Sequence, residues 1–227
     1  MGTTLRMLAL KNISKIYQTQ GETITALDQV DLNIETGEFV AIMGRSGSGK
    51  STMLNILGCM DKPSSGQYKL ANQDVSALND DELSKIRNDH IGFVFQGFHL
   101  LPRLSALENV MVPLRFASPE KQQQGEARAK KLLQEVGLGD RMHHMSNEMS
   151  GGQIQRVAIA RSLINQPAVL LADEPTGNLD SAISQQIIDL LVSLNQAGQT
   201  IVMVTHEPDI AENAGRTIHF LDGKIVA

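Results

Sequence analysis

The sequence predicts an α/β fold: a mostly parallel sheet with helices on its faces and a helical block inserted into the chain. Three observations predict it. Short apolar runs alternate with helical patterns at both ends of the 227-residue chain. A glycine-rich turn over 44–51 joins one apolar run to a helical one. From Ser105 to Gln166 no convincing strand occurs, only helical patterns.

Taken in order, residues 7–16 and 30–34 show mixed alternation, and 39–43 is a continuous apolar strand. A helix over 51–57 follows the glycine-rich turn, and 66–70 is a further short strand. Asn79, Asp80, Asp81 and Glu82 open a helix running to about residue 87, with a cap followed by first-turn acids. Residues 91–95 form a buried strand. In the helical block, 120–136 is one polar amphipathic helix ended by Gly137, and 152–165 is another. Alternation then returns: strand 168–172, helix 182–195, strand 200–205, short helix 208–213, and two strands, 216–221 and 224–226, around the hairpin pair Asp222-Gly223. The chain reads as one domain, 1–227, with an α/β core from 1–96 and 166–227 and a helical subdomain at 97–165.

A net charge of −5 and a pI near 5.7 argue against nucleic acid as the main partner, because such partners call for a basic excess. No apolar run approaches the roughly 18 residues that cross a bilayer, and the N-terminus lacks the apolar stretch of a secretory signal. Arg6 breaks the myristoylation pattern, and Met7 is a second possible start, which would make 1–6 an extension. The expectation is a cytoplasmic protein that reaches a membrane only through a partner. The single Cys59 makes no internal disulfide and reads as a packed core thiol.

The turn Gly44-Arg45-Ser46-Gly47-Ser48-Gly49-Lys50-Ser51, with Thr52 beyond it, fits the phosphate-loop pattern G-x-x-x-x-G-K-[ST] at every fixed position. Its glycines let successive N–H groups face one anion, and the helix that follows adds its positive end. Lys50 reaches the β- and γ-phosphates and the Ser51 hydroxyl holds Mg²⁺, so the turn predicts a nucleoside triphosphate site. Asp173 ends an apolar strand, as the second Mg²⁺ ligand of such a site must. Glu174, one residue on, is placed to take the proton of an attacking water. Ser150-Gly151-Gly152-Gln153 is a second glycine-rich turn before a helix. The residues alone allow either a second anion seat or an ordinary N-cap.

With these motifs in this order, the chain resembles the nucleotide-binding subunits of ABC transporters over nearly its whole length. Ser150 to Gln153 match the family signature LSGGQ, with Met149 in place of the usual Leu. Gln96 after Phe95 matches the Q-loop, Asn178-Leu179-Asp180 the D-loop, His206 the switch histidine, and Tyr17 the adenine-stacking position. The resemblance implies an ABC-type P-loop ATPase core with a small antiparallel β subdomain and the helical subdomain. It implies that two copies sandwich two ATP molecules, with Ser150, Gly151, Gly152, Gln153 and Asp180 of one copy closing the phosphate loop of the other. It implies Mg²⁺ held by Ser51, Asp173 and Gln96, and catalysis by Glu174, His206 and Gln96. The stretches 95–102, 104–110 and 174–180 are similar to the macrolide-exporter, lipoprotein-release and FtsE-like branch. That implies a transmembrane FtsX/MacB-like permease partner on the cytoplasmic face, with export as the output. Force transmission to the cell envelope without solute transport is the alternative.

Phe98, Leu100, Leu101 and Leu104 follow the Q-loop in a stretch with no evident core of its own, and are expected to line a groove for a short helix of that permease. His143-His144 reads as exposed loop, since no Cys or carboxylate cluster accompanies it.

Overall fold

The computed structural model describes residues 6–19 and 21–226. The question of an N-terminal extension therefore falls mostly outside the described residues. Strand β1 (Arg6–Thr19) pairs antiparallel with β2 (Glu22–Glu35) and with β4 (Ser65–Leu70), and β5 (Gln73–Asp74) completes this small sheet. Both long strands outrun the expected ranges. The first half of β2 is exposed on both faces, so it carries no apolar alternation to read. Register shifts near Ile13, with Asn12 and Gln29 at positive φ, bend the pair so that only the Leu27–Ile34 half faces the core.

The main sheet has the order β10 (Lys224–Val226), β9 (Arg216–Leu221), β3 (Phe39–Gly44), β8 (Thr200–Val204), β7 (Val169–Asp173), β6 (Ile91–Phe95). Every pairing except the β9–β10 hairpin is parallel. The two-residue period sends Phe39 and Ala41 to one face, and Val40 and Ile42 to the other. On the first face lie α6 (Gly151–Leu163) and α7 (Ser181–Gln196). Helix α1 (Lys50–Leu57) covers the second face together with the small sheet, whose Leu8, Leu10, Leu27 and Ile34 share a core with Val202 and Val204.

Helix α2 (Asp80–His90) begins at Asn79, whose side chain accepts from the Glu82 N–H while Glu82 accepts from the Asn79 N–H, as the capping sequence predicts. The helical lobe contains α3 (Ala106–Met111), α4 (Pro119–Gln123), α5 (Gly125–Glu135) and α6, and α8 (Pro208–Ala211) lies after β8. The one helix expected over 120–136 is therefore two. Gly125 sits so close to Leu114 that a Cβ there would meet Leu114 Cδ1 at 2.3 Å, and the chain breaks at Gln124 to make that approach. The lobe's apolar residues, Leu107, Val110, Leu133 and Val157 among them, form one cluster with Ala172 and Met203 of the sheet. Cys59, just after α1, is buried, and burial pushes its thiol up to about 11 against the opposing pull of Arg87.

Candidate active site

Parallel pairing lines up the carboxyl ends of four strands. Phe95 registers with Asp173, Asp173 with Val204, and Val204 with Ile42 near the end of β3. Gln96, Glu174 and His206, which follow those ends, therefore leave the same edge of the sheet as the glycine-rich turn. This is where an open α/β sheet exposes backbone groups and helix starts together.

The turn from Gly44 to Ser51 curls between β3 and α1. Gly44 has φ 154, and a Cβ on it would meet Phe220 O at 2.4 Å and Ser48 Oγ at 2.6 Å. Gly49, at φ 106, presses on Ala26 O. The C-terminal hairpin braces the turn: the Gly223 N–H donates to Ser48 O (3.0 Å), and the Asp28 N–H donates to Gly223 O (2.9 Å). Inside the turn, the buried Lys50 Nζ donates to Gly44 O (2.6 Å) and Arg45 O (2.9 Å). The Ser48 hydroxyl is 3% exposed and has no hydrogen-bond partner. A cradle of glycine-rich backbone with a buried ammonium and a helix start fits an anionic phosphate chain, while the Ser48 hydroxyl lies under the turn against Gly44, outside the cavity lining.

The turn opens on a cavity of about 670 Å³, where Lys50, Ser51, Thr52, Asp173, Glu174 and His206 meet. Arg45, Ser46 and Gly47 form its rim. Burial raises the Asp173 carboxyl, the Glu174 charge raises it further, and Lys50 pulls it down. Asp173 and the Ser51 hydroxyl are the hard oxygen donors suited to Mg²⁺. Glu174 stands at φ 44 with its N–H on Val204 O (2.9 Å), and its Oε1 lies 3.0 Å from His206 Nδ1. Sequence reasoning missed the wall formed by Ile24, Thr25, Ala26, Asp222 and Gly223. Only the Asp222-Gly223 turn signal could have drawn attention to it, and that signal gives a hairpin without saying what the hairpin touches.

Gln96 is not in this cavity. Its Nε2 points to Asn178 Oδ1 (3.5 Å), and Asn178 Nδ2 donates to Gln96 O (3.0 Å). The amide lies over Gly177, where any Cβ would meet Gln96 Nε2 at 2.6 Å. Gln96, expected as a Mg²⁺ ligand, here keeps its amide against Asn178 at the edge of the sheet, outside the cavity lining. Tyr17 borders the cavity without lining it. Its hydroxyl interacts with Thr52 and with Asp61, and it pairs across the strands with Ile24.

Ser150 caps α6: its Oγ accepts from the Gln153 N–H, and Gln153 Oε1 accepts from the Ser150 N–H (3.0 Å). The N-cap reading thus holds as geometry, and Ser150 is exposed beyond the cavity. Gly151 and Gly152 lie against Leu179 and Ile183, and Asp180 Oδ1 caps α7 through the Ile183 N–H (3.0 Å). The signature turn and the D-loop therefore form one surface, separate from the chain's own phosphate loop.

A second cleft of about 710 Å³ lies between α2, β6, the end of α6 and residues 112–116. Its walls include Phe93, Phe95, Pro113, Phe116 and Arg161. Phe98, Leu100, Leu101 and Leu104 do not line it; Leu104 lines a smaller groove beside α3, and Leu101 is exposed. The buried Asn109 amide donates to Leu101 O, Leu104 O and Ser105 O, folding that stretch onto α3. Arg161 holds Phe98 O (2.8 Å) and His99 O (2.6 Å), both residues at positive φ. Among the described residues no group of His, Cys, Asp or Glu could hold a metal by itself, and His143 lies exposed in a loop.

The family model described as "ABC transporter" matches residues 27–177. The chain is 52% identical to the uncharacterized ABC transporter ATP-binding protein YknY of Bacillus subtilis (strain 168), over 97% of this chain and 95% of that one. It is 49% identical to the macrolide export ATP-binding/permease protein MacB of Escherichia coli, over 98% of this chain but only 34% of MacB. The solved dimeric structure of the ATP-binding cassette MJ0796, in a post-hydrolysis state bound to ADP and Pi, superposes with a TM-score of 0.86 at 49% identity, covering 97% of each chain.

Proposed function

The chain belongs to the ABC transporter family and is an ATP-binding, ATP-hydrolysing cassette, and from that premise we propose that it drives a separate membrane permease by closing as a homodimer around ATP. The observation that carries this reading is the separation of its two glycine-lined turns. The cavity at Lys50 has no wall from Ser150 to Gln153: Ser150 stands exposed elsewhere on the chain, with Gly151 and Gln153 half-buried and Gly152 buried behind it. A second copy supplies the missing wall if the two pack head to tail, and a dimeric cassette is among the similar solved structures.

In this reading Gly44 to Thr52 hold the triphosphate, and Tyr17 stacks the base. Mg²⁺, held by Ser51 and Asp173, supplies charge that neutralises the phosphate oxygens. Lys50 exchanges its carbonyl partners Gly44 and Arg45 for phosphate oxygens. Glu174 accepts the proton of the attacking water, and His206 holds the Glu174 carboxylate and the γ-phosphate in place. Gln96 joins the site by leaving Asn178. Ser150 and Gly152 present hydroxyl and N–H groups to the γ-phosphate of the other copy. ATP thus favours the closed dimer, and its hydrolysis removes that preference.

The permease is of the MacB/FtsX type, the output is export, and the complex sits on the cytoplasmic face of the membrane. The 49–52% identities to MacB and to stand-alone cassettes support that branch. The Phe116 cleft is the permease's seat. No helix among the described residues is long and apolar enough to cross a membrane, in keeping with anchoring through a partner.

The test is size-exclusion chromatography of Glu174→Gln with Mg·ATP. Replacing a general base costs about 10²–10⁴ in rate. The variant should bind ATP, nearly cease turnover and elute as a dimer. A variant that stays monomeric at saturating Mg·ATP rules the closing mechanism out.

A further inference from the structure

We propose that Asp61, together with Lys15, is a positioning residue for the nucleotide base, setting the Tyr17 ring before ATP arrives. This rests on the reading of Tyr17 as the base platform. Asp61 lies in the loop after α1, the helix that begins at the phosphate turn, and its N–H donates to Asn55 O of that helix (3.2 Å). Its carboxylate reaches across to β1. Oδ2 accepts the Tyr17 hydroxyl (2.9 Å), and Oδ1 accepts Lys15 Nζ (2.6 Å) and the Lys62 N–H (2.7 Å). Lys15 Nζ also donates to Lys62 O (2.8 Å) and sits 4.9 Å from the Tyr17 ring centroid.

The consequence is a ring held at both its hydroxyl and its face. The ammonium occupies one face, so a base stacks only on the other. The Lys15 side chain is 13% exposed, so this cation is largely withdrawn from solvent. The platform continues toward the cavity: Ile24, directly opposite Tyr17 in the β1–β2 ladder, is 49% exposed and lines the cavity, and Thr52 lies between the Tyr17 hydroxyl and the phosphate turn. An exposed isoleucine beside a clamped aromatic is an apolar shelf of the kind a purine covers. Burial opposes ionisation of Asp61, but hydrogen bonds from Lys15, Tyr17 and the Lys62 N–H outweigh it and keep the carboxyl below its ordinary range. The clamp is therefore charged at neutral pH. Because Asp61 follows the phosphate-loop helix and holds the Tyr17 hydroxyl, it ties the strand that carries the base seat to the helix that starts at the phosphate seat.

The test uses the full-length chain and calorimetric titration with Mg·ADP and, separately, with Mg·tripolyphosphate, which has no base. Asp61→Ala and Tyr17→Phe should each weaken Mg·ADP about three- to tenfold and leave tripolyphosphate binding unchanged. Combined, they should weaken it no further than either alone. Equal loss of tripolyphosphate binding, or additive losses in the double variant, would overturn the proposal by showing a merely structural role. Tyr17→Phe keeps the ring, so it decides the matter if Asp61→Ala does not fold. Tyr17→Ala separates the two layers, with an expected loss of roughly tenfold or more in Mg·ADP affinity. If Tyr17→Ala changes nothing, the base-platform reading fails. If it weakens binding while Asp61→Ala does not, the positioning role alone fails.

Discussion

His206 Nδ1 lies 3.0 Å from Glu174 Oε1, and the sheet register brings them there. Asp173 and Val204 are partners in the ladder, and the Glu174 N–H continues that ladder onto Val204 O. The carboxylate and the imidazole thus leave neighbouring strands at the same height. His206 is mostly exposed, so truncating it costs the fold little and the chemistry much. His206→Ala should keep Mg·ATP affinity while turnover falls on the order of 10². Steady-state phosphate release checks this, and a variant within twofold of the parent would remove His206 from the mechanism.

Glu174 takes a left-handed backbone, φ 44, without being glycine. A β-carbon in that region costs about 1–2 kcal/mol, so the position holds strain in exchange for where it aims the carboxylate. Glu174→Gly and Glu174→Ala are both expected to be inactive. The glycine variant should melt higher than the alanine one by a few degrees, at about 2–4 °C per kcal/mol for a chain of this size. Equal melting temperatures would mean the backbone is unstrained there.

Asp173 has a raised pKa in the folded chain, through burial first and the Glu174 charge second. A carboxyl raised on folding destabilises the native state in its ionised form. That penalty appears as pH climbs from the unfolded value through the folded one, and it is complete above the latter. Asp173→Asn should therefore raise the thermal midpoint of the nucleotide-free chain at neutral pH, lose the gain in acid, and abolish turnover. Calorimetric melts across pH check the sign, and a lower midpoint at neutral pH would contradict it.

What the sequence reveals about this site follows from which residues act through local patterns. Lys50, Ser51, Asp173 and Glu174 are legible because a strand end or helix start next to them in the chain fixes their direction. The strands 91–95 and 216–221 are legible for the same reason, as short apolar runs with clear borders. Asp222 and Thr25 are not, because they reach the cavity through a hairpin and a ladder whose partners lie far away in the chain. The break at Gln124 escapes because it depends on Leu114, a tertiary neighbour of Gly125. For Leu101 and Leu104 the sequence does not show that the Asn109 amide holds their carbonyls, and Leu101 stays 46% exposed while the aromatic left most exposed is Phe116.

Phe116 is 79% exposed on the wall of the second cleft, although its type favours burial. Arg161, on the same wall, ties the cleft to the stretch after Gln96 through Phe98 O and His99 O, and α6 runs from this wall back to Ser150. A partner pressing here therefore acts on a rigid helix whose far end is the signature turn. Phe116→Asp removes apolar surface from an exposed position, so the isolated chain should fold and hydrolyse ATP as before. Assembled with the permease proposed above, the same variant should lose any ATPase stimulation or transport that the parent chain gains there. Measured side by side in detergent solution and in reconstituted membranes, a variant that stays fully coupled would mean the permease docks elsewhere.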